Sequence, residues 1–160
     1  MPSIYIETSI VSYATARASR EPHILVRQMD ARRWWEEHAS RFDLFVSQAV
    51  LDESARGDPV AAQARLELLT NATLIPLNTE VARVARELLL RSLLPPTAAL
   101  DALHVAAAAV GGVDYLLTLN CRHIANAFML PLIYQTLDEL SVSRPLICTP
   151  EEFLGEDHAN

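Results

Sequence analysis

No apolar run in this chain reaches the roughly 18 residues that a membrane-spanning helix requires, and the N-terminus has neither the basic segment nor the apolar stretch of a signal peptide. A cytoplasmic protein with no membrane partner is the expectation. Cysteine is nearly absent: Cys121 and Cys148 form neither a CxxC pair nor a dense framework, so both read as reduced thiols and a zinc site has no support. A Walker phosphate loop and a complete dinucleotide fingerprint are missing too, which ranks cofactor-driven chemistry low. Basic charge is in deficit: 13 Lys and Arg against 20 Asp and Glu leave a net charge of −7, which argues against broad non-specific attraction to nucleic acid. An enzyme acting on nucleic acid stays open, because converging acids would be offset by divalent cations and arginines would supply a local basic rim. Arg17, Arg20, Arg27, Arg32 and Arg33 are candidates for that rim, with Arg122 nearer the pocket; each also reads as an ordinary solvated helix-face charge.

What is present suits one compact α/β domain. The 160 residues are 51% apolar, rich in Leu and Ala, and long enough to bury a core without disulfides. Ser3 to Ile6 reads as a strand that ends abruptly at Glu7-Thr8-Ser9. A helical region over about 21–40 contains Trp34 and Trp35, followed by a strand at Phe42 to Val46 and a helix that Ser47 can cap. Gly57-Asp58-Pro59 breaks it and begins the next helix, to about Leu69, with a short extended segment at Leu74 to Pro76. Thr79 to Leu90 is strongly helical, with Thr79 as a candidate cap and Val81, Val84, Ala85 and Leu88 on one face, and Pro95-Pro96 stops it. The helix around Asp101 ends at Gly111-Gly112, where glycine tolerates left-handed backbone. A strand at Val113 to Thr118, two short helices over 121–140, a strand near Pro145 to Cys148 and a capped start at Thr149-Pro-Glu-Glu152 complete the pattern. Strands separated by helices imply βαβ units and a mainly parallel sheet covered on both faces.

Asp101 is the only charged residue between Ala98 and Val110. An ionised carboxylate enclosed by so apolar a helix costs several kcal/mol or more unless it reaches a wet cleft, a cation, hydrogen-bond donors or a metal ion. In an open parallel sheet, functional groups collect beyond the carboxyl ends of the strands. Glu7 and Asn120 fall there, and Glu53 and Asp101 lie on helices that follow or feed strands. Oxygen donors without a matching His or Cys set suit hard cations such as Mg²⁺ or Mn²⁺.

Tyr5-Ile-Glu-Thr-Ser9, Leu51-Asp-Glu53, Asp101-Ala-Leu-His-Val-Ala106 and Leu117-Thr-Leu-Asn-Cys-Arg-His123 together resemble the PIN-domain ribonuclease family, particularly VapC-like proteins, in order and spacing over nearly the whole chain. The resemblance implies a three-layer PIN-like α/β fold, a single domain over 1–160 with its core at about 3–150, and clustered acids that bind Mg²⁺ or Mn²⁺ and hydrolyse RNA. It also implies the toxin of a type II toxin–antitoxin pair, with a small cognate antitoxin and a homodimer as partners. Glu7 stands where the family normally has Asp, Glu53 and Asp101 correspond to the second and third acids, and Asn120 stands where many members have a fourth. Glu7 is one methylene longer than the usual residue, and Asn120 offers a neutral carbonyl oxygen. Both departures touch the expected catalytic set of Glu7, Glu53, Asp101 and Asn120, of which the three acids are the expected metal ligands.

Plain structural roles compete at each position. Glu7 reads equally as a helix cap or an arginine partner, Glu53 as an exposed helix residue beside Asp52, and Asn120 as a turn residue or cap. Ser9, Thr118, His104 and Arg122 are expected to support or orient the site; Thr8 is left outside it. His104 lies one turn from Asp101 and so is placed to orient it, or is a satisfied interior histidine. His123, following Asn120, reads as a substrate contact or, in preference, a surface residue, and Trp34 and Trp35 as base-stacking or packing residues. Metal-dependent hydrolysis of RNA phosphodiester bonds is the leading expectation. The alternatives are a catalytically weak PIN-like RNA-binding or regulatory protein, and a small-substrate phosphoester hydrolase.

Overall fold

A computed structural model describes residues 1–91 and 95–155, so 156–160 of the expected domain lie outside the described residues. Five strands, β1 (Ser3–Ile6), β2 (Asp43–Ser47), β3 (Thr73–Ile75), β4 (Tyr115–Leu117) and β5 (Leu146–Cys148), form one sheet in the order β3-β2-β1-β4-β5. Every pairing is parallel. The first strand is therefore central, which explains why Ile4, Tyr5 and Ile6 are all fully buried: a parallel strand covered on both faces has no solvent side. Around the sheet lie α1 (Thr8–Thr15), α2 (Pro22–Glu37), α3 (Gln48–Ser54), α4 (Pro59–Leu68), α5 (Thr79–Leu90), α6 (Ala99–Val110) and α7 (Leu130–Glu139). They pack as two groups, α1 with α2, α3 and α4, and α5 with α6 and α7, giving the expected three-layer α/β arrangement. Among the described residues, no helix is long and apolar enough to cross a membrane.

Local chemistry sets most boundaries. Asp58 caps α4 by accepting from the Ala61 N–H at 2.9 Å, with Pro59 in the first turn. Helix α5 buries Val81, Val84, Ala85 and Leu88 as its spacing predicts, but its cap is Asn78, whose Oδ1 accepts from Val81 N–H at 3.0 Å, and not Thr79. Ser47 sits at the cap position of α3 without capping it, because its hydroxyl is bonded to Tyr5 instead. Thr149 and Glu152 form the expected capping box, at the start of a short 3₁₀ turn. At the end of α6, Gly112 takes the left-handed φ of +68°, whereas Gly111 is right-handed and closely packed: a Cβ there would stand 2.5 Å from the tip of Ile75 and 2.9 Å from the Ala107 carbonyl oxygen, so the Ile75 side chain would have to shift.

Two elements differ from the sequence-based expectation. Residues 8–15 form α1, although Thr, Ser, Ile and Val are indifferent helix formers; burying Ile10, Val11 and Ala14 against the core overrides that propensity. Only one helix, α7, occupies the segment expected to hold two, and hydrogen-bonded turns fill 121–129. Trp34 is fully buried in an aromatic cluster with Trp35, Phe42 and Phe153, with ring centroids 5.8–6.1 Å apart. It serves packing and offers no base-stacking platform.

Candidate active site

Glu7 follows the central strand directly and caps the helix that begins there. Its backbone N–H donates to the Leu117 carbonyl at 3.0 Å, extending the β1–β4 ladder to the strand ends. Its side chain is buried, and one oxygen, Oε2, accepts from Ser9 N–H (3.0 Å), from Ser9 Oγ and from Thr118 Oγ1 (2.9 Å). Ser9 Oγ in turn accepts from Leu119 N–H at 2.8 Å, and Thr118 Oγ1 from Asn120 N–H at 2.9 Å. The loops after β1 and β4 are thereby cross-linked through one carboxylate oxygen, while Oε1 makes no hydrogen bond among the described residues.

Glu53 arrives from the last turn of α3. Its Oε1 accepts from Thr8 Oγ1 at 2.9 Å and from His104 Nε2 at 2.6 Å, and Oε2 is unengaged among the described residues. His104, on α6, thus bonds to Glu53 and not to Asp101, the partner its helical spacing suggested. Its other nitrogen, Nδ1, lies 2.8 Å from Tyr5 Oη, which is 2.7 Å from Ser47 Oγ. Thr8, left outside the expected site, belongs to it.

Asp101, in the first turn of α6, is part-exposed to the cleft. Oδ1 accepts from Asn120 Nδ2 at 3.0 Å and Oδ2 is paired with His123 Nδ1 at 2.9 Å. Asn120 Oδ1 accepts from His123 N–H at 3.1 Å, so Asn120 both caps its own turn and holds Asp101. The contact of His123 with Asp101 is one that its sequence context concealed, since nothing local points to an acid 22 residues away.

These side chains surround a single cavity of about 670 Å³ lined by Glu7, Glu53, Asp101, Asn120, Arg27 and Arg122, among others. Of the remaining arginines considered for a basic rim, Arg32 donates to the carbonyls of Ala14 and Ala16 and Arg33 pairs with Glu37; they build structure. Burial raises the Glu7 carboxyl above the ordinary range, against the lowering field of His104 and the bonds from Ser9 and Thr118. Burial also pushes Glu53 upward, but the hydrogen bond and charge of His104, with Thr8, outweigh it and leave Glu53 below the ordinary range. Two carboxylates on one cavity are driven in opposite directions, the behaviour that often marks a functional site.

The donor chemistry fits a hard divalent cation: carboxylate oxygens predominate, and one oxygen each of Glu7 and Glu53 is free to ligate. The acids share a cavity without sharing a ligand sphere, since among the described residues no three His, Cys, Asp or Glu side chains form a group able to hold a metal ion. Both oxygens of Asp101 are engaged, by Asn120 and by His123.

The family model for the PIN domain matches residues 4–128, and the chain belongs to the PIN-domain family. Its solved structural neighbours include a VapBC2 structure and a VapC20 toxin. The VapBC2 structure from Rickettsia felis, bound to a DNA fragment from its promoter, aligns with a TM-score of 0.55 at 16% identity, covering 91% of this chain and 98% of that one. VapC20 of Mycobacterium tuberculosis, a toxin that cleaves the sarcin–ricin loop, aligns with a TM-score of 0.60 at 21% identity, covering 77% and 94%. At such identities the likeness is one of fold. No curated protein is significantly similar in sequence.

Proposed function

We propose that this protein is a metal-dependent endoribonuclease and the toxin of a type II toxin–antitoxin pair. The observation that carries the reading is the meeting of Glu7, Glu53 and Asp101, from three separate elements, on one cavity that also receives Arg27 and Arg122. Glu7 and Glu53 would hold Mg²⁺ or Mn²⁺ through their unengaged oxygens, and Asp101 would join them once one of its oxygens is released by Asn120 or His123. Such a cation, when bound, polarises a phosphodiester and lowers the pKa of water beside it. Glu7 Oε1 and Glu53 Oε2 supply negative charge without further rearrangement of their own hydrogen bonds. Asn120 acts by holding Asp101 and not as a general base, because an amide cannot usefully accept a proton near neutral pH. Arg27 and Arg122 line the same cavity and would provide cationic partners for phosphate oxygens.

Purified protein incubated with Mn²⁺ or Mg²⁺ and with single-stranded and structured RNAs is expected to cleave RNA and to stop when EDTA is added. Turnover of simple phosphate esters but not RNA would move the assignment to a small-substrate hydrolase. RNA binding without turnover at ample Mn²⁺ would select a regulatory, RNA-binding protein, a reading that the engagement of both Asp101 oxygens favours.

Arg27 makes no ion pair among the described residues, so its charge is available to substrate. Arg27→Ala is expected to raise the KM for RNA about tenfold, the worth of one hydrogen bond to a charged group, with kcat changed little. The salt dependence of RNA binding should become shallower by about one counterion. An unchanged KM and salt slope would remove Arg27 from the substrate path.

Association with a small antitoxin and with a second copy of the chain follows from the same reading. Co-expression with the product of an adjacent small gene should suppress the RNase activity.

A further inference from the structure

Between the cavity and the interior runs a line of polar groups that a hydrolytic site does not by itself require. Ser47, Tyr5 and His104 are almost wholly buried, at 0%, 0% and 1% exposure, on β2, β1 and α6. Their polar atoms connect in sequence: Ser47 Oγ to Tyr5 Oη at 2.7 Å, Tyr5 Oη to His104 Nδ1 at 2.8 Å, and His104 Nε2 to Glu53 Oε1 at 2.6 Å. Burying a hydroxyl, a phenol and an imidazole beneath the central strand is unfavourable unless every member is satisfied, and here each is. Apolar residues of similar volume would fill the same space at less risk.

Resting on the nuclease reading above, we infer that Ser47, Tyr5 and His104 are positioning residues that fix the carboxylate of Glu53, so that Oε1 is held by the protein and Oε2 is left for the ligand of the cavity. An ionised carboxylate only accepts hydrogen bonds, and Thr8 Oγ1 and His104 Nε2 must therefore both donate to Oε1. This requires a proton on His104 Nε2 in either charge state of the ring. With a neutral ring, Nδ1 accepts from Tyr5 and Tyr5 accepts from Ser47, so the hydrogen bonds all run toward Glu53. Glu53 belongs to a seven-residue helix at the rim, and this chain ties its carboxylate to two adjacent strands of the sheet. Partners behind a ligating carboxylate commonly change metal affinity or activity by 10- to 100-fold when removed.

Wild-type protein labelled with ¹⁵N at histidine should show His104 protonated at Nε2; a ring protonated only at Nδ1 would overturn the inference. Tyr5→Phe, which keeps the packing and removes the oxygen, should weaken Mn²⁺ binding, measured by calorimetry with the metal alone, by roughly tenfold. It should also lower kcat for RNA while leaving KM nearly unchanged. His104→Gln places an amide donor near the position of Nε2 and should retain most of the Mn²⁺ affinity, whereas His104→Asn is too short to reach Glu53 and should lose it. Equal Mn²⁺ affinity in folded wild type, Tyr5→Phe and His104→Asn refutes the positioning role. Should the histidine variants fail to fold, Tyr5→Phe and the wild-type spectrum decide. A wild type that binds no Mn²⁺ and cleaves no RNA would refute the nuclease reading separately; the spectrum, and the orientation of Glu53 in a crystal structure of Tyr5→Phe, would still decide the role of the chain, an unmoved Glu53 counting against it.

Discussion

Asp101→Ala is expected to reduce Mn²⁺-supported RNA cleavage by at least about 100-fold while the protein stays folded. The activity loss follows from removing one of three acids on the cavity, at the position where α6 delivers its single charge. The fold should persist because the two groups left without a partner, Asn120 Nδ2 and His123 Nδ1, lie beside the open cleft and can turn to water. Far-ultraviolet circular dichroism and a melting curve should match wild type. Equal cleavage by the two proteins would place the activity at another site or in a contaminant, and the nuclease assignment would fail with it. Asp101→Asn gives a second point: it preserves shape and removes charge, so it should be nearly as inactive as the alanine variant.

Glu7→Gln should separate stability from activity in opposite directions. The glutamine carbonyl oxygen can accept the three bonds that Ser9 and Thr118 now give to Oε2, so the cap and the β1–β4 cross-link survive. What disappears is a buried charge. Because burial raises the folded-state pKa of Glu7 above its unfolded value, the folded state binds more protons than the unfolded one, and stability falls as pH rises from the unfolded value through the folded one. Above that window the wild type carries the full penalty, and below the unfolded pKa it carries none. In EDTA the variant should therefore melt higher at neutral pH, by about 2–4 °C for each kcal/mol relieved, with the two curves converging in acid. Glu53 has the opposite sign, since its lowered folded pKa adds stability above its unfolded value that is lost as pH falls through the folded one, but it is common to both proteins and cancels in the comparison. Saturating Mn²⁺ should reverse the order: a ligand at 100 times its Kd stabilises the wild type by about 2.7 kcal/mol, while the variant gains little and loses cleavage by at least about 100-fold. A variant less stable than wild type in EDTA at neutral pH would show that Glu7 is retained for structure and not for its charge.

Much of the frame was legible because it depends on local pattern. Short apolar runs bounded by turn residues marked the strands, and the spacing of Val81, Val84, Ala85 and Leu88 marked a helix that buries those side chains. Asp101 was conspicuous because charge in an apolar helix demands a compensating environment. Contacts between distant segments were harder to see. Periodicity relates His104 to Asp101 on its own helix, yet the shorter link runs to Glu53, 51 residues away. The contact of His123 with Asp101 is hidden for the same reason, and the role of Thr8 is hidden because a hydroxyl beside a strand end is explained equally well by a cap. Helix α1 went unread because Thr-Ser-Ile-Val-Ser-Tyr-Ala-Thr has little intrinsic preference for a helix; its burial supplies what propensity does not.

The cross-links from Glu7 to Thr118 and from Ser9 to Leu119 span 111 and 110 residues of chain, and the strand that precedes Glu7 pairs on one side with a strand that follows it by more than a hundred residues. A growing polypeptide on the ribosome cannot close this floor until that later segment has left the exit tunnel, several seconds into synthesis at about 5–20 residues per second. On the proposed nuclease reading, translation products that lack this later segment should consequently be inert toward RNA.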